Sequence, residues 1–116
     1  MSLPRFCKIC RLILHYPDLN RSDWDNEIKA FKGKGFCPDK HYEITLHEYD
    51  DRVEVQYEKL YYNEYMVEID YHHDKWIEIY KEGRVALVTT LESWEGVNFR
   101  DKDAVLYKLD TLINFS

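Results

Sequence analysis

The chain has 116 residues, a formal net charge of −6, 45% hydrophobic residues and 33% charged ones. That length suits one domain over residues 1–116 with a single core, and that composition excludes an intrinsically disordered chain. The negative balance repels a phosphate backbone, so direct nucleic-acid binding is not expected and a basic protein surface becomes the natural partner.

No run of 18 apolar residues is present, so no membrane-spanning helix is expected. The opening Met1-Ser2-Leu3-Pro4-Arg5 lacks the apolar stretch of a signal peptide. The three cysteines are an odd number, where a secreted disulfide framework uses an even one. Together these point to a reducing, cytoplasmic compartment.

In chain order, residues 5–16 read as a helix. At 100° per residue Arg5, Lys8, Arg11 and His15 gather on one side, with Phe6, Cys7, Ile9, Cys10, Ile13 and Leu14 on the other. Pro4 suits a first turn, and Pro17 stops the element at Tyr16. A second helix is expected over 22–33, opened by Ser22 with Asp23 and Asp25 and closed by Lys29, Lys32 and Gly33. Gly33 to Asp39 then reads as a loop.

From His41 the period switches to two. Tyr42, Ile44 and Leu46 alternate with Glu43, Thr45 and His47, and similar runs follow breaks at Asp50-Asp51, Asn63, His72-His73-Asp74 and Lys81-Glu82-Gly83. The spacing predicts strands at 41–49, 52–61, 64–71, 75–80 and 84–91, joined as sequential hairpins. Asp101 can cap a last helix over 102–114, with Val105, Leu106, Leu109, Leu112 and Ile113 as its apolar stripe. The fold expected is α+β. An antiparallel meander of about five strands is covered on one face by two N-terminal helices and one C-terminal helix.

Three residue sets carry chemistry. Cys7, Cys10, Cys37 and His41 have the form C-x2-C, a long gap, then C-x3-H, which could satisfy tetrahedral zinc. Against that, zinc turns favour a tight Gly-bearing loop, and cysteines on the apolar side of a helix are ordinary core residues. His47 should stand opposite Glu54 if the hairpin closes at Asp50-Asp51, an arrangement open to acid–base chemistry and equally to a surface ion pair. The third set is an outer sheet face. With Tyr42, Ile44, Val53, Val55, Tyr57, Val67, Ile69, Ile77 and Ile79 turned inward, the alternate positions Glu43, Glu54, Glu58, Glu68, Asp70 and Glu78 turn outward together, flanked by Tyr49, Tyr62, Trp76 and Tyr80. A row of carboxylates with aromatic flanks suits a basic partner, because complementary charge raises on-rate and specificity.

No nucleophile elbow, P-loop, dinucleotide fingerprint or H-E-x-x-H motif is present, and no motif calls for a cofactor. The reading is a small, acidic, non-enzymatic protein-binding module of inhibitor, immunity or adaptor type. Its alternative is a zinc-stabilised module using the Cys3His set. A Trp-bearing sheet edge could equally serve a homodimer.

Overall fold

The computed structural model describes residues 4–16, 24–25, 30–71 and 76–114. A single antiparallel sheet runs through them in strict sequence order: β1 (Trp24–Asp25), β2 (Ala30–Phe36), β3 (Tyr42–Glu48), β4 (Val53–Tyr62), β5 (Tyr65–Asp70), β6 (Trp76–Lys81) and β7 (Arg84–Thr90). β1 is only a two-residue pairing, so the sheet is six full strands and a fragment. A 3-10 turn at Leu91–Trp94 leads to the one α-helix among the described residues, α1 (Lys102–Asn114). That helix is not long and apolar enough to cross a membrane.

The meander from β3 to β7 and the C-terminal helix agree with the periodicities. The two N-terminal helices do not form. Residues 5–16 fold instead as a tight hairpin, in which Phe6 bridges Ile13 and the Leu14 amide donates to the Arg5 carbonyl at 2.7 Å. The expected helix over 22–33 is replaced at both described ends, by β1 and by β2; residues 22–23 and 26–29 lie outside the described residues. The second correction comes from tertiary pairing, which overrides a short local helix pattern. As a strand, β2 pairs with β3 from Phe31↔Glu48 to Phe36↔Glu43. Gly35 also allows a close approach. A Cβ there would stand 2.6 Å from a ring carbon of Tyr16 and 2.9 Å from Ile44 Cγ2.

One irregularity sets which side chains face inward. Thr45 pairs with Tyr57 but Leu46 with Val55, leaving Gln56 as an extra residue in β4. Such a bulge reverses the alternation beyond it. Val55 therefore packs on the core, as expected, while Glu58, Leu60 and Tyr62 replace Tyr57 on the inward face. The carbonyl of Gln56 accepts the Tyr71 amide at 2.9 Å, so the bulge is anchored.

The inward rows Tyr42–Leu60–Val67–Ile79 and Ile44–Glu58–Ile69–Ile77 have two covers. α1 lays Val105 and Leu109, both fully buried, over one part, and Tyr65 reaches it by donating to Asp110 Oδ1 at 2.6 Å. Asp101 caps the helix, its Oδ1 accepting the Ala104 amide at 3.1 Å. The N-terminal hairpin supplies the second cover through Cys7, Leu14, Ile9 and Tyr16.

Candidate metal centre

The hairpin at 5–16 is built on two left-handed or sulfur-assisted steps. Arg11 takes φ +64°, the Cys7 amide donates to the Leu12 carbonyl at 2.9 Å, and the Arg11 amide returns to the Cys7 carbonyl at 3.1 Å. The amides of Ile9 and Cys10 point at Cys7 Sγ, at 3.3 and 3.5 Å. The turn between β2 and β3 repeats this plan. The Cys37 amide donates to the Tyr42 carbonyl, again five residues on, at 2.9 Å, and Lys40 takes φ +61°. Here the backbone amides of His41 and Asp39 serve the Cys37 sulfur.

The two turns are pinned side by side, since His15 and Phe36 exchange both amide–carbonyl bonds at 2.8 Å. The result brings one donor atom from each of Cys7, Cys10, Cys37 and His41 within 4.8 Å of one another. These four residues, separated by up to 34 positions in sequence, lie close together and could hold a metal ion.

The donor chemistry fits zinc. The three cysteines are free thiols, with Cys10 and Cys37 sulfurs 3.4 Å apart. That separation is well beyond a disulfide bond of about 2.05 Å. It is near the roughly 3.8 Å between two sulfurs at 2.3 Å from one tetrahedral ion. Nδ1 of His41 is buried and meets no hydrogen-bond partner among the described residues, as suits a lone pair reserved for an ion. The thiols are unequal. Burial pushes Cys7 up to about 11, with backbone amides partly offsetting it. Burial also raises Cys37, but the amides of His41 and Asp39 and the neighbouring thiols together bring it below its ordinary value. Cys37 is thus a natural first thiolate for an incoming cation.

Lys8, inside the C-x2-C turn, reaches across to the sheet. Its Nζ stands 2.7 Å from Oε1 of Glu58, whose side chain is only 4% exposed. The hydroxyls of Tyr42 and Tyr71 also donate to this carboxylate. Burial and the neighbouring Glu58 charge push both phenols well above the usual tyrosine range. Lys8 Nζ further lies 5.7 Å from the Phe99 ring, which stacks on buried Trp94 at 5.9 Å.

The residues expected on the outer face are divided. Glu43, Glu68 and Glu78 lie on one outward row, which also takes in Lys59; Asp70 pairs with Trp76 on the next but is buried, not presented to solvent. Lys59, which the sequence reading passed over, sits between Glu43 and Glu68 and reaches Glu68 at 4.0 Å. Glu58 is turned to the core, as is Tyr62, whose hydroxyl donates to the Phe99 carbonyl at 2.7 Å. Tyr80 is outward and donates to Glu78 at 2.7 Å. His47 stands opposite Glu54, and Tyr49 lies beside it at the hairpin end. Glu54, however, accepts from Arg52 Nε at 2.9 Å. Comparison with protein-family models, curated proteins and solved structures finds no match to this chain.

Proposed function

We propose that the chain is a zinc-stabilised β-sheet module, in which Cys7, Cys10, Cys37 and His41 hold one structural Zn2+. The observation that carries this is the convergence of four soft or borderline donors from two turns of matching design, with His41 Nδ1 buried and unpaired. Four protein ligands leave no open coordination position, so the ion's role is to hold structure, not to activate water. It joins the N-terminal hairpin to the β2–β3 turn and so secures the second cover of the core.

Metal analysis of protein purified without added zinc tests the reading. One zinc per chain is expected, with Co2+ replacement giving the absorption bands of a tetrahedral thiolate-rich site. Cys37→Ser and Cys10→Ser should each abolish stoichiometric binding. A zinc content near zero, with no spectral change on adding chelator, would sink the proposal.

A second reading concerns the outer face, as a docking surface for a basic protein. It is favoured by Glu68, whose carboxyl is raised first by burial and then by Glu78, Asp70 and Glu43, against the lowering effect of Lys59. A cationic side chain arriving there would relieve that repulsion. Because its folded value is raised, Glu68 stabilises the fold fully only below the ordinary 4.5 and loses that contribution as pH rises. Glu68→Gln should therefore raise the melting temperature at pH 7 and leave it unchanged at pH 4. The double reversal Glu68→Lys/Glu78→Lys should abolish capture of the basic partner obtained from the native host. Undiminished capture by that variant rules the surface out.

A further inference from the structure

We infer that Cys10 and Cys37 form a thiol–disulfide switch, joining covalently on contact with a peroxide and so releasing the proposed zinc ion. The switch presupposes the zinc-stabilised module proposed above and concerns how that site is emptied. Its two sulfurs belong to different turns, 27 positions apart in sequence, and stand 3.4 Å from each other. Two thiolates on one tetrahedral ion stand at roughly 3.8 Å, so this pair is drawn closer than a metal requires. A disulfide needs about 2.05 Å. Side-chain rotation can cover what remains, because the turns themselves are already side by side. His15 and Phe36 hold them there through both amide–carbonyl bonds at 2.8 Å.

Access singles out Cys10 as the sulfur oxidised first. Cys7 and Cys37 are 1% and 2% exposed, whereas Cys10 is only partly covered. Attachment points the same way. The amides of Ile9 and Cys10 hold Cys7 Sγ, and those of Asp39 and His41 hold Cys37 Sγ. Among the described contacts no backbone amide holds Cys10 Sγ, so it is the sulfur freest to move. Cysteines that oxidise reversibly are the accessible ones, often poised beside a second thiol that resolves them. Cys37 stands in that second position, across the junction between the turns.

The chemistry balances with hydrogen peroxide as oxidant. Metal binding keeps the cysteines as thiolates. The Cys10 thiolate attacks one peroxide oxygen, breaking the O–O bond, forming a sulfenic acid and expelling hydroxide. The Cys37 thiolate then attacks the Cys10 sulfur, forming the S–S bond and expelling a second hydroxide. The two sulfurs lose two electrons between them, and the two peroxide oxygens gain them. Only Cys7 and His41 remain as donors, half the set a closed zinc site uses. The tie between the N-terminal hairpin and the β2–β3 turn thereby passes from an ion to a covalent bond. A dithiol reductant reverses the step, since a disulfide is recoverable where a sulfinic acid is not.

The test treats the full chain, as purified with its zinc, with equimolar hydrogen peroxide and reads released metal with a chromogenic chelator. Remaining thiols are then alkylated, and the protein is digested with trypsin without reductant. Cleavage after Lys8, Arg11, Lys34 and Lys40 puts Cys7, Cys10 and Cys37 on separate peptides, so the linkage is read directly. Expected are one zinc released per Cys10–Cys37 link, Cys7 recovered as free thiol, and rebinding of zinc after dithiothreitol. Cys10→His keeps four donors of zinc type but removes the first sulfur, so its release by peroxide should be at least about tenfold slower. A Cys7–Cys10 link overturns the inference, as does a sulfinic Cys10 without any link or a histidine variant as fast as wild type. Protein that carries no zinc before peroxide overturns the zinc reading along with the switch. Zinc present at the start and retained under peroxide overturns the switch alone.

Discussion

Single side chains carry unusual weight where the hairpin meets the sheet. Lys8 balances a carboxylate with almost no access to water, and Glu58 has only the Tyr42 and Tyr71 hydroxyls besides it among the described contacts. Removing one partner of a buried charge leaves the other uncompensated, which in closed sites costs several kcal/mol. The Lys8 head is itself partly exposed, so Lys8→Met should cost about 2 kcal/mol, the range of a charged hydrogen bond. Chemical denaturation at pH 7 measures this, and zinc content should remain unchanged. Gly35 offers the complementary test. Gly35→Ala drives a methyl into the Tyr16 ring and Ile44, and should destabilise by about 1–3 kcal/mol, the usual cost of overpacking. An alanine variant as stable as the wild type would mean that Tyr16 yields freely.

At the level of elements, the β3–β7 meander and α1 were legible because period two and the 3.6-residue stripe are long and uninterrupted there. Leu109→Ala, at the fully buried centre of that stripe, should cost about 3 kcal/mol in a thermal or urea melt. The face of β4 was legible only as far as Val55. Beyond it the apolar phase moves from odd to even positions, Val53 and Val55 giving way to Leu60 and Tyr62, and that switch is the trace of the Gln56 bulge. Reading one phase through the whole strand is what put Glu58 on the wrong side. The N-terminal hairpin hid for another reason. Its left-handed position holds Arg11, as that of the β2–β3 turn holds Lys40, where glycine is the usual signal. The cysteine spacing was visible, but the apolar spacing around it mimics a helical face. Apolar residues at 6, 7, 9, 10, 13 and 14 satisfy a helix pattern and a cross-strand pair such as Phe6–Ile13 alike.

For the molecule as a whole, the aromatic content becomes a property of the fold. Among ten tyrosines, Tyr16, Tyr65 and Tyr80 are each pushed up to about 12, by burial for the first and by hydrogen bonds to Asp110 and Glu78 for the others. Burial raises Tyr42, Tyr62 and Tyr71 further still. A phenol whose folded value lies above its unfolded one stabilises the fold fully below pH of about 10, and that contribution is lost as pH rises through the folded value. An ultraviolet titration of native protein should thus show only a minority of phenolates near pH 10. A cooperative alkaline transition should follow at higher pH, releasing the rest. Most tyrosines ionising near pH 10 with the fold intact would contradict the packing described.

Lys8 also decides how the parts come undone. It sits between two of the proposed zinc ligands, grips the middle of the sheet through Glu58, and lies against Phe99, which precedes the helix. A chain with a separate metal knuckle would shed its ion and its sheet in two stages. With the proposed zinc bound, the lysine would join ion, sheet and C-terminal segment in one cooperative unit, so metal release and loss of tertiary signal should share a single midpoint.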